Sequence, residues 1–112
     1  MSLSIYNSTV APLNSGDEFI GQFYDNIIDF CEINISIFCD TSYILTYYFS
    51  QDKINTSYTT SQSIPASGLT QFYKVEPLQR YFKIGIVASG GDMTVLNVQT
   101  IYKSNISFIS GS

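Results

Sequence analysis

Residues 31–50, CEINISIFCDTSYILTYYFS, constrain the fold more than any other stretch of this chain. Ile33, Ile35 and Ile37 alternate with Glu32, Asn34 and Ser36, the period-two pattern of a strand with one buried face. Asp40, Thr41 and Ser42 interrupt the pattern, and Tyr43, Leu45, Tyr47 and Phe49 resume it against Ile44, Thr46 and Tyr48. Two alternating runs around a short polar break predict an antiparallel hairpin. The sequence as a whole sets a fold class and argues against most enzymes; its physical chemistry alone does not name a function.

Shorter runs of the same kind flank this centre. Phe19, Gly21 and Phe23 alternate with Ile20, Gln22 and Tyr24, and Gly21 marks a bulge or the close approach of another backbone. Residues 58–64 are rich in Ser and Thr and read as an edge strand, followed by a turn at PASG, 65–68. A short strand over 72–75 stops at Pro77. Another strand spans 81–88 and returns over 94–102 through SGGD, 89–92, read as a tight hairpin turn whose glycines supply positive φ. Ahead of them, Leu3, Ile5 and Asn7 alternate weakly with Ser4, Tyr6 and Ser8, enough for an arm that could pair with something. Seven or eight short strands with no helical periodicity predict an all-β protein, an antiparallel two-sheet β-sandwich of jelly-roll-like form. The expected organisation is an arm over 1–10, one sandwich domain over 11–102 and a tail over 103–112.

Composition narrows the function classes. Charged residues are 12% of the chain, about half the usual ~25% share, so Ser, Thr, Asn, Gln and Tyr must cover most of the surface. That suits an assembling or sugar-facing protein, although an AT-rich coding sequence would give the same bias. Net charge is −4 and the five Lys and Arg are scattered singly, leaving no footing for nucleic-acid binding. No apolar run reaches the ~18 residues of a membrane-spanning helix, so no membrane insertion is expected. The N-terminal residues lack the basic and apolar regions of a signal peptide, which predicts a chain that is either cytosolic when made or leaves the cell inside something larger.

Candidate chemistry is sparse. The chain has no His, so a Ser-His-Asp arrangement is excluded and a zinc site lacks ligands. Asp25 and Asp29 lie four apart with Asp17 and Glu18 nearby, a set that could serve acid–base work or hold Ca²⁺ but reads more simply as solvated turn acids. No cofactor, metal or catalytic residue is expected. Arg80, the single Arg, either pairs with a carboxylate such as Glu76 or is a plain surface residue. Sequons at Asn7, Asn34, Asn55 and Asn105 are attributed to the abundance of Ser and Thr. Cys31 and Cys39 are eight residues apart on one strand, ~26 Å at ~3.3 Å per residue, whereas a disulfide tolerates ~7 Å between Cα atoms. Both share the parity of Ile33, so buried, reduced and unpaired thiols are expected.

Several motifs resemble a β-sandwich module of structural and attachment proteins of tailed phages and large DNA viruses. They are Phe19-Ile20-Gly21-Gln22-Phe23, the acid Asp25, the aromatic Phe30, the Ile33, Ile35, Ile37 run, Asp40, and Phe49-Ser50-Gln51-Asp52. Later come Arg80-Tyr81-Phe82-Lys83 and Val98-Gln99-Thr100. The similarity covers roughly 11–102. Two positions depart from it: Thr41, Ser42 and Tyr43 stand where the module carries a Gly, and its Asp-Gly turn is Asp52-Lys53 here. The resemblance implies a non-enzymatic virion protein, of capsid or tail, acting through protein–protein packing with other virion proteins or itself. It transfers no catalytic residue. A carbohydrate-binding or host-attachment module, in which exposed Tyr meets host glycan, is the alternative.

One surface is singled out for contact. On the outward face of the expected hairpin, Phe38, Ile44 and Tyr48 are apolar where Glu32, Asn34 and Ser36 are polar. Phe38 and Ile44 would be cross-strand neighbours beside the turn, an apolar cluster fit for a homo-oligomer or a docked virion subunit. The competing reading is that a loop or the N-terminal arm of the same chain covers them.

Overall fold

A computed structural model describes residues 2–23, 27 and 30–104. Within them are eight strands: β1 (Ser2–Thr9), β2 (Glu18–Ile20), β3 (Phe30–Cys39), β4 (Tyr43–Ser50), β5 (Tyr58–Ile64), β6 (Gln71–Val75), β7 (Tyr81–Ala88) and β8 (Leu96–Ser104). They form two four-stranded antiparallel sheets, ordered β1-β8-β3-β6 and β2-β7-β4-β5. This is the expected two-sheet sandwich. Its order is that of a jelly roll, in which successive strands switch sheets and only β4 and β5 are joined within one.

Two of the expected hairpins are not hairpins. β3 pairs with β6 and β8, and β4 with β5 and β7, so residues 40–42 carry the chain from one sheet to the other. Residues 89–95 likewise cross from β7 to β8 instead of turning back on β7. The reason lies in the parity. Cys39 ends β3 facing the core and Tyr43 opens β4 facing the core, which serves a crossing between sheets ~10 Å apart as well as a turn. The two crossings meet at one end of the molecule. The amides of Ser89 and Gly90 donate to the Ser42 carbonyl at 3.0 and 3.2 Å, and Asp40 accepts from the Thr94 amide at 3.0 Å and from its hydroxyl. Gly90 is required by this approach, since a Cβ there would lie 2.8 Å from Thr41 Oγ1.

The core is the inward parity of the four central strands. Ile33, Ile35 and Ile37 of β3 and Val98 of β8 face Leu45, Phe49, Phe82 and Ile84 of the other sheet, all fully buried. Ring contacts run across it from Phe49 to Phe82 (centroids 5.3 Å apart), to Tyr102 (6.5 Å) and to Phe30 (5.2 Å). The chain therefore joins its sheets with aromatic bodies although it has no Trp.

Candidate functional site: the outer faces and the open edge

The outer face of the β1-β8-β3-β6 sheet carries several large exposed apolar side chains. Register places Leu3, Ile101, Asn34 and Lys74 in one row across the four strands, with Gln99, Ser36 and Phe72 in the next. Phe72 is 77% exposed, Ile5 73% and Leu3 55%. Asn34 and Ser36 are short, so a depression of about 360 Å³ opens above them, bounded by Phe72, Lys74 and Ile101. A second, of about 280 Å³, lies among Leu3, Ile5, Val10 and Asn97.

The residues expected to form one contact cluster are divided between the two sheets. Phe38 points outward from β3, while Ile44 and Tyr48 point outward from β4 on the opposite side of the sandwich. Phe38 and Ile44 are thus not cross-strand neighbours: Phe38 pairs with Asn97, and Ile44 with Val87 and Ser63. All three are half-buried. Tyr48 lies across Gly85, where an added Cβ would come within 3.1 Å of its ring. Lys83 Nζ sits 5.2 Å from the Tyr48 centroid and 4.4 Å from that of Phe23, a cation–π arrangement that covers the ring from the side.

At the β5–β6 edge the sandwich holds a polar cluster. The hydroxyls of Tyr43 (β4) and Tyr73 (β6) are 2.9 Å apart and link the two sheets, and Tyr73 donates to Gln71 Oε1 at 2.9 Å. Burial, then the Tyr73 hydroxyl, drives the Tyr43 phenol far above its ordinary pKa. Burial and nearby Tyr73 push Tyr47 up to about 12.

Other sequence candidates are placed as follows. Cys31 and Cys39 are both free; Cys39 is buried and donates to the Thr41 carbonyl at 3.2 Å, and burial raises its thiol pKa. Cys31 is only half-buried, because a register shift between Phe30 and Glu32 puts it on a bulge, where its thiol donates to Lys103 O. Asp17, Glu18 and Arg80 are exposed, while Asp25 and Asp29 lie outside the described residues. Among the described residues no three His, Cys, Asp or Glu side chains gather as a metal group. Of the sequons, Asn7 is fully buried, Asn34 is half-buried, Asn55 is exposed with its amide given to Asp52, and Asn105 lies outside the described residues.

Sequence reasoning missed Leu3, Ile5 and Phe72 as surface residues. The signal was present for Leu3 and Ile5, which share one parity in 1–10, but nothing local says which parity faces out. In Phe72-Tyr73 both parities are aromatic, and alternation cannot choose between them.

No protein-family model matches the chain, and no curated protein matches it. Solved structures do. PBSX exported protein XepA superposes over 93% of this chain with a TM-score of 0.71 and 14% identity. The enzymatically active domain of tailspike protein 4 from Bacteriophage CBA120 superposes over 85% with a TM-score of 0.53, also at 14% identity. A family 11 carbohydrate-binding module of Clostridium thermocellum matches more loosely, with a TM-score of 0.49, 8% identity, and coverage of 92% of this chain and 82% of that one. The present chain spans 37% of the XepA chain and 15% of the tailspike chain. The likeness to these two phage-related proteins is one of fold.

Proposed function

We propose that this chain is a non-enzymatic structural module of a phage or viral particle, working by packing against protein neighbours. The observation that carries this reading is the exposed apolar set Leu3, Ile5 and Phe72 on one outer sheet face. Burying three such side chains would supply at most roughly 4.5–9 kcal/mol, at ~1.5–3 kcal/mol for each one fully buried, before ordering costs. The fold shared with XepA and with part of a phage tailspike supports the same reading. Half-buried Phe38, Ile44 and Tyr48 are secondary contact residues on two separate faces.

Quantitative mass spectrometry of purified particles tests this, with stoichiometric copies of the chain expected. Particles devoid of it would overturn the reading. An Ile5→Ser/Phe72→Ser double variant should fold with little loss of stability, because both residues are solvent-exposed, yet incorporate at least tenfold less. In the host-attachment alternative the same variant would still enter particles, and loss would appear on a glycan array instead.

A further inference from the structure

A sandwich of two open sheets has four edge strands, each with unpaired backbone amides and carbonyls that can pair with another chain unless something prevents it. Here three of the four edges are blunted. β2 is only three residues long. β1 carries a register shift between Ser4 and Thr9, where Asn7 turns into the core. β6 is five residues long, presents Lys74 to solvent and is followed by Pro77.

β5 has neither the shortness, the bulge nor the charge of these strands; Pro65 follows it as Pro77 follows β6, but lies beyond its paired residues. Tyr58–Ile64 contains no charge, Pro or Gly, and it pairs with β4 in unbroken register from Tyr43↔Ile64 to Phe49↔Tyr58. Every residue of it except Ile64 is exposed, on both faces. Among the described residues nothing pairs with its outer edge.

We infer that β5 is the surface through which two copies of this chain pair, antiparallel about a two-fold axis at Ser61, joining two four-stranded sheets into one of eight. The segment is self-complementary in that register. Ser61 meets Ser61, Thr60 meets Gln62, Thr59 meets Ser63, and Tyr58 meets Ile64. The first three are hydroxyl and amide pairs, and the last is an aromatic–β-branched pair of the kind that stabilises sheets. Tyr58 is 47% exposed, and the partner's strand would cover part of its ring beside Ile64, which its own core already buries. Exposed Leu69 (73%) and Phe72 lie at this same end of the sandwich, on the β5–β6 connection and on β6, so a partner seated on β5 also approaches them. A two-fold closes on itself and leaves both β5 edges satisfied, which limits assembly to a pair through this strand.

The inference names one partner for the packing role proposed above, and the two fail separately: a monomeric protein can still be found in particles, and a protein absent from particles can still pair.

Sedimentation equilibrium from micromolar to near-millimolar protein should show a reversible dimer. Ser61→Lys sets two like charges against each other on the axis and should weaken it at least tenfold, with an unchanged circular dichroism spectrum. Cysteine substitution reads the register without depending on that variant. Under mild oxidation Ser61→Cys should give a covalent dimer, because directly opposed Cβ atoms lie ~4.5–5.5 Å apart. Ser63→Cys should not, because the two copies of residue 63 would be four residues out of register, ~13 Å. A wild type that stays monomeric, a dimer indifferent to Ser61→Lys, or cross-linking at 63 in place of 61 would each overturn the pairing.

Discussion

Asn7 takes the place of a stretch of missing strand. β2 ends at Ile20 while β7 runs on, and the Asn7 side chain reaches across from β1 to fill the gap as a peptide group would. Its Oδ1 accepts from the Ile84 amide at 3.0 Å, and its Nδ2 donates to the carbonyls of Gln22 at 3.2 Å and Phe82 at 3.4 Å. Gly21 is what lets it in, since a Cβ there would lie 1.9 Å from Asn7 Oδ1. The sequence showed that Gly21 admits something close, yet not that the visitor is a side chain from residues read as an arm. Asn7→Ala leaves buried backbone groups unpaired and should cost about 2–4 kcal/mol. Gly21→Ala should cost about 3 kcal/mol by overpacking. In the Asn7→Ala background, Gly21→Ala should cost at least 1 kcal/mol less, because the group it collides with is gone; some cost remains from the Tyr6 carbonyl, 2.9 Å from the same Cβ. Additive losses in urea titrations of the four proteins would show that the two residues act separately.

Elements were legible in the sequence, while their partners were not. Tyr81–Ala88 and Tyr58–Ile64 were readable from alternation and flanking turns, and β5 is the edge strand that its Ser/Thr content suggested. Pairing failed where a short connection was assumed to make a hairpin, because period two is the same for a strand that turns back and one that crosses over. The β4–β5 connection is the one that stays within a sheet, and its loop shows what a sequence departure does locally. The Asp52 carboxylate accepts from the amides of Ile54 and Asn55 at 2.9 and 2.8 Å and from the Ser50 hydroxyl, which holds its pKa well below the usual carboxylate range. Between them Lys53 has φ +71°, the left-handed conformation for which the resembling module carries Gly. Lys53→Gly should therefore stabilise the protein by about 0.5–1 kcal/mol, the relief of left-handed strain exceeding the added chain entropy. Equal or lower stability in a denaturant titration would mean that contacts of the Lys53 side chain outweigh the strain.

At the scale of the whole molecule, the sheets are clamped by apolar rings through the centre and by the Tyr43–Tyr73 hydroxyl pair at the β5–β6 edge. The abundance of Tyr announced itself in the composition, but only the crossing topology brings a Tyr of β4 against one of β6, so the pair was invisible in sequence. It makes stability sensitive to alkali. Both Tyr43 and Tyr47 have phenol pKa values raised in the folded state, chiefly by burial, with Tyr47 at about 12. An unfolded Tyr titrates near ~10. Between these values the unfolded chain has released protons that the folded chain retains, so rising pH favours unfolding. The contribution is complete below about pH 10 and declines as pH climbs toward 12 and beyond. Thermal melts should show a level Tm from about pH 8 to 10 and a steep fall above it. Tyr43→Phe should cost roughly 0.5–1.5 kcal/mol at neutral pH through the lost hydroxyl pair, while Tyr73 keeps Gln71 as a partner. Above about pH 10 the variant should lose Tm more slowly than wild type, and the two curves should converge. Parallel curves would deny the Tyr43 clamp its part in the alkaline loss and in holding the sheets together.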